Sequence, residues 1–108
     1  MYTTPLTLWF ITVFEKIEID EHHYPIFGDS RTWGFYTDKD QALRAVKENW
    51  TDMHENFYQY AAVEGYDEGI CHGRDTNESQ WFKWDIQTNG YQEIKRPDEL
   101  IGFGNLAF

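Results

Sequence analysis

From Thr7 to Ile17 the chain reads TLWFITVFEKI, with β-branched and aromatic residues at both parities. A strand with one wet face would alternate, so this run predicts a central strand covered on both sides. EIDEHHYPIFGDS follows, polar and broken by Pro25 and Gly28, which predicts an exposed loop. RTWGFY, residues 31 to 36, returns to strand composition, and Gly34 within it predicts a bulge or a close backbone approach.

The period then changes from two to about 3.6. In TDKDQALRAVKENW the residues Ala42, Leu43, Val46 and Trp50 share one face, Thr37 or Asp38 can cap the first backbone donors, and Asp40 sits in the first turn. Met53 and Phe57 extend the apolar stripe, but Asn49 and Thr51 are mediocre helix formers and Thr51 can cap a new turn. The pattern therefore predicts a helix near 38 to 49, a short second turn near 51 to 55 and a strand near 57 to 65. On that strand Tyr58, Tyr60 and Ala62 would share one face, with Phe57, Ala61 and Val63 on the other.

GYDEGICHGRDTNESQ reads as a loop holding at most a short extended piece near Gly69 to Cys71. WFKWDIQTNGYQEIKR is a hairpin pattern, because Asn89-Gly90 is a preferred turn between two alternating runs. Beyond Pro97, DELIGFGNLAF predicts a helical turn and an apolar tail packed back on the core. The order β-β-α-β-β-β with short connections predicts one α+β domain over residues 1–108: a mostly antiparallel sheet of about five strands with one main helix on one face. The other face then needs a cover or a partner.

Composition narrows the picture. Five Trp, seven Tyr and eight Phe supply enough bulk for a core without disulfides or metal, and leave some rings for the surface. A single cysteine, Cys71, excludes an internal disulfide. The apolar opening lacks a preceding Lys or Arg and a small-residue cleavage site, so a cytoplasmic location is expected. No run approaches the roughly 18 apolar residues needed to span a bilayer. Nine Lys plus Arg stand against nineteen Asp plus Glu, a net charge of −10, which disfavours direct contact with nucleic acid or anionic membranes.

Familiar chemistries find little footing. Gly65, Gly69 and Gly73 lack the strand-to-helix setting and the lysine of a phosphate loop, and Ser30 and Ser79 are not in nucleophile-elbow settings. Cys71 and His72 are adjacent, and in an extended segment adjacent side chains point apart. His22, His23, His54 and His72 match no metal-ligand spacing, so neither a metal nor a cofactor is expected. Glu64, Asp67 and Glu68 beside Trp81 and Trp84 resemble the carboxylates and aromatics of a small hydrolase, the third reading in rank.

The most polarised part of the chain runs from Glu48 to Glu78. Asn49, Trp50, Asp52, Glu55, Tyr58, Tyr60, Glu64, Asp67 and Glu68 interleave carboxylates with rings, the composition of a surface that captures a basic protein. The plain alternative is a solvated helix face and one packed face of a strand. A second functional reading is a small-ligand protein that stacks a nucleotide-like molecule on Trp or Tyr and pairs it with Arg31 or Arg74.

Through WFITVFEK, RTWGFYTDKDQALRAV, NWTDMHENFYQYAAVE with the following EGI, WFKWD, YQEIKRP and GFGNLAF, the chain resembles a group of small bacterial and phage proteins without an assigned activity. The resemblance implies an accessory protein of bacteria or their phages. It directs attention to Asn49, Asp52, Glu55, Tyr58, Tyr60 and Glu64. The leading expectation is a non-enzymatic binding protein, an anti-defence or anti-CRISPR-like inhibitor that docks on the basic, nucleic-acid-binding face of a host protein.

Overall fold

A computed structural model describes residues 7–50, 52–67 and 79–97. Five antiparallel strands form its sheet: β1 (Thr7–Phe14), β4 (Ser30–Tyr36), β5 (Tyr60–Asp67), β6 (Gln80–Asp85) and β7 (Gly90–Ile94), in the spatial order β4-β1-β5-β6-β7. One helix, α1 (Lys39–Lys47), packs on one face, which makes the architecture α+β as the sequence predicts. β1 is paired on both sides, in keeping with its apolar residues at both parities. The predicted extended piece near Gly69 to Cys71, the helical turn and the apolar tail lie outside the described residues.

The region read as a plain loop holds a small ribbon, β2 (Glu18–Ile19) paired with β3 (Pro25–Ile26). Its strands are two residues each, too short to leave a periodic signal. The ribbon folds back on β1: Glu15 N–H donates to Asp29 O and Lys16 N–H to Phe27 O. That return brings Phe27 against Phe14, with ring centroids 5.1 Å apart.

Alternation along the strands sorts the core into two layers. Ile11, Val13, Ala61, Val63, Phe82 and Tyr91 meet Ala42, Ala45 and Val46 of α1 on one face. Phe14, Ala62 and Trp81 form a smaller cluster with Ile17, Phe27, Tyr60 and Ile94 on the other. Each fully buried large side chain contributes roughly 1.5–3 kcal/mol, so Trp81, Phe82 and Tyr91 tie β6 and β7 firmly to the rest.

Local choices agree with this packing. The Asp38 side chain caps α1 by accepting from Asp40 N–H at 3.0 Å, which settles the choice between Thr37 and Asp38. Trp9 pairs with Gly65, and a β-carbon at Gly65 would lie 2.7 Å from the Trp9 ring, so the glycine makes room for the indole. Opposite Ile11 and Thr12 the register of β4 steps from Gly34 to Thr32. This is the predicted bulge, and no close approach is involved because a β-carbon at Gly34 would meet nothing within 4 Å.

Two boundaries move. The strand predicted from 57 begins at Tyr60, because Phe57 takes a left-handed conformation with φ 73° and resets the phase. Tyr58 and Tyr60 therefore join different layers instead of sharing a face. The hairpin closes through four residues, Ile86 to Asn89, with Asp85 paired to Gly90. Asp85 Oδ1 accepts from Gln87 N–H and starts this wider turn, while Asn89 takes the left-handed position at φ 56°.

Candidate functional site

Among the described residues after α1, Asn49, Asp52 and Phe57 are left-handed. The first is a helix stop: Asn49 N–H bonds to Val46 O and Trp50 N–H to Ala45 O, the paired hydrogen bonds of a Schellman cap. Asparagine tolerates the required φ of 52°, which is why the helix ends here and does not continue to Phe57. Trp50 thus leaves the helical stripe and stands 43% exposed.

Beyond the cap, Met53 drops into the core and holds the loop down. A 3-10 turn at His54–Asn56 follows, close to the short second turn expected from sequence. The Asn49 side chain ties the two ends, donating to both oxygens of Glu55 at 3.0 and 2.9 Å and accepting from His54 N–H at 3.3 Å. Asn56 Nδ2 closes a smaller ring on Asp52 O at 2.8 Å.

The loop is seated against the hairpin. The His54 ring lies flat on Trp84, with centroids 3.7 Å apart and an 8° interplanar angle. Trp84 N–H donates to Gln59 O at 2.9 Å, and a β-carbon at Gly90 would lie 3.6 Å from Lys47 O. The end of α1, residues 48–50 and 52–57 and the hairpin turn therefore form one continuous end of the molecule. Glu48, Asp52 and Glu55 are exposed on it, with Asp85 at its edge and Lys47 beside Glu48.

The carboxylates there are not equivalent. Glu48 accepts from Trp50 Nε1 at 3.1 Å and from Arg44 Nε at 3.0 Å, and these bonds, Trp50's first, hold its carboxyl below the ordinary range. Arg44 also lies over the Trp50 ring, fixing the indole. Asp52 is pushed the other way, upward, by hydrogen bonding to Glu55 and by its charge. For Glu55, desolvation acts upward but hydrogen bonds from Asn49 and Asp52 prevail and leave it lowered. Asp52 and Glu55 are thus a carboxyl pair whose members are shifted in opposite directions, Asp52 upward and Glu55 downward.

Of the residues singled out from sequence, Asn49, Trp50, Asp52 and Glu55 come together on this surface. Tyr58 does not join them. Its side chain is 3% exposed, and its hydroxyl donates to Asp29. Tyr60 lies on the opposite sheet face with Lys83 over its ring, and Glu64 is buried on that same face, 6% exposed beside the Tyr66 hydroxyl. The Asp67 side chain and Glu68 lie outside the described residues.

The competing chemistries gain little. Trp81 and Trp84 belong to different layers and cannot form one sugar-binding platform with Glu64. Among the described residues no group of three His, Cys, Asp or Glu side chains is placed to hold a metal. Arg31 is engaged by Asp29 at 3.2 Å, while Arg74, Cys71 and His72 lie outside the described residues. An open depression of about 360 Å³ on the hairpin is lined by Lys83, Trp84, Asp85, Ile86, Gln92 and Ile94. No helix among the described residues is long and apolar enough to cross a membrane.

Two residues missed in the sequence belong to the surface, Phe57 at 76% exposure and Ile86 at 85%. Strand parity groups Phe57 with Ala61 and Val63, which face α1, and Ile86 follows Phe82 and Trp84 of that same layer. Only the left-handed turn and the four-residue hairpin loop turn them out. Comparison of the chain with family models, with curated proteins and with solved structures finds no match in any of the three.

Proposed function

We propose that the chain is a non-enzymatic binding protein that docks the end formed by residues 48–50, 52–57 and the β6–β7 turn on a basic surface of a nucleic-acid-handling host protein. The observation that carries this reading is the exposure of Trp50, Phe57 and Ile86 among Glu48, Asp52, Glu55 and Asp85 on a loop held by Asn49, Met53 and His54. Rigid rings supply contact area at low ordering cost, and the surrounding charge steers encounter with a cationic face. A net charge of −10 favours competition with nucleic acid for that face. Inhibition of a host defence protein is part of the proposal; the resemblance to small bacterial and phage proteins supplies only the setting of an accessory protein.

The test is displacement of labelled DNA from purified nucleic-acid-binding defence proteins, with and without Asp52→Lys/Glu55→Lys. Displacement by wild type that weakens with salt and is lost in the double variant is the expected result. Failure of wild type to displace DNA from any of them at low salt would sink the proposal. Glu64 is left unchanged, because reversing a buried charge would unfold the sheet.

A further inference from the structure

We propose that Phe57 and Ile86 together are the apolar anchor of the acidic end, shaped for an apolar pocket rimmed by lysine or arginine side chains on a partner protein. The inference rests on the docking function above and names the residues that carry its contact energy.

They are the most exposed large hydrophobic residues described, and they sit at the same end of the β5–β6 ladder. Tyr60 pairs with Lys83, and Trp84 N–H reaches Gln59 O, so the two segments are still hydrogen-bonded two residues from each anchor. His54 on Trp84 fixes the turn that carries Phe57.

Phe57 is also an expensive choice for its position. It closes a 3-10 turn at φ 73°, where glycine or asparagine sits with less strain than an aromatic residue. Its ring buries little in return. A bulky apolar side chain held in a strained conformation and directed to water is explained by a contact outside the chain.

Charge selects the occupant. A second copy related by a two-fold axis would bring Glu48, Asp52 and Glu55 against their own equivalents, and an anionic membrane meets the same repulsion. A cationic rim around an apolar pocket complements both parts of the surface.

Two synthetic helical peptides of equal positive charge test the assignment, one patterned Lys and Leu, the other with Ser in place of every Leu. Fluorescence anisotropy is read for wild type, Phe57→Ser/Ile86→Ser and Asp52→Asn/Glu55→Gln. Wild type is expected to favour the Leu peptide at least about tenfold, a difference the anchor variant abolishes while keeping salt-sensitive affinity for the Ser peptide. The charge variant should weaken on both. Equal binding of both peptides by wild type, or a preference that survives in the anchor variant, overturns the anchor and leaves the acidic docking surface standing. Binding of neither peptide by wild type brings down the docking function and the anchor together.

Phe57→Gly provides a separate check, with an expected rise in Tm as the strain is relieved. A fall would place the ring in the packing of the fold and overturn the proposal. Sedimentation showing self-association of wild type that the anchor variant removes would assign the patch to a second copy, and would overturn it equally.

Discussion

Tyr58 donates its phenolic hydrogen to Asp29 Oδ2 at 2.5 Å, joining the segment before β4 to the segment before β5. Arg31 Nη2 reaches the same oxygen at 3.2 Å. The Tyr58 bond lowers the Asp29 carboxyl against an opposing desolvation, with Arg31 adding a lesser pull in the same direction as Tyr58. Burial, then the bond to Asp29, raises the Tyr58 phenol in turn. Tyr91 completes the tie by donating to Tyr58 O at 2.6 Å.

Removing that phenol in Tyr58→Phe should cost about 1 kcal/mol in urea unfolding at neutral pH. A depressed carboxyl contributes stability above its unfolded value of about 3.9, and loses it as pH falls through the lower folded value. The deficit of Tyr58→Phe should therefore shrink in acid. A deficit of the same size at both ends of that window would show that Asp29 is not the linked group.

Asp52 obeys the opposite sign. Its raised carboxyl binds the proton more tightly in the folded chain, so its contribution is present at low pH and lost as pH rises through the folded value. Asp52→Asn should raise Tm at pH 7, where ionised Asp52 faces Glu55, and raise it less at pH 3. Equal gains at both pH values would trace the effect to the left-handed backbone alone, which asparagine also tolerates.

Asn49 has two separable tasks. Asn49→Gly keeps the left-handed helix stop and loses the side-chain tie to Glu55 and His54, whereas Asn49→Ala loses both. Alanine is expected to be less stable than glycine by about 1 kcal/mol in denaturant titrations. If the two variants matched, the cap would carry none of the loop's order.

Gly65→Ala sets a methyl group 2.7 Å from the Trp9 ring and should destabilise by about 1–3 kcal/mol. Trp9→Leu in the same chain should recover part of that loss, because the contact is with the indole. No recovery in the double variant would locate the strain in the β5 backbone.

The sheet and α1 were legible because their signals are local. Ile11, Val13, Ala61 and Val63 alternate with the residues of the second layer, and Asp38 stands where a cap is needed. The outer loop was less legible. Phe57 interrupts the strand phase with one backbone angle, so Tyr58 falls into the layer opposite to that predicted. Asn49 looked like a member of a polar surface, yet its amide works inward on Glu55, six positions along the chain. Phe57 and Ile86 carried the signature of core residues, and only the geometry of two turns reverses it.

The step in register on β4 has a kinetic consequence. β1 and β5 are joined by eight consecutive pairs, whereas the ladder to β4 breaks beside Trp33 at the outer edge of the sheet. Local opening begins where a ladder is interrupted and one side is bare, so β4 and the ribbon before it are expected to exchange their amides ahead of β1 and β5. β1 and β5, each covered on both sides and joined by eight pairs, are expected to exchange last. The acidic loop, anchored through Met53 in the core and through His54 on Trp84 of β6, is expected to keep its shape while β4 opens.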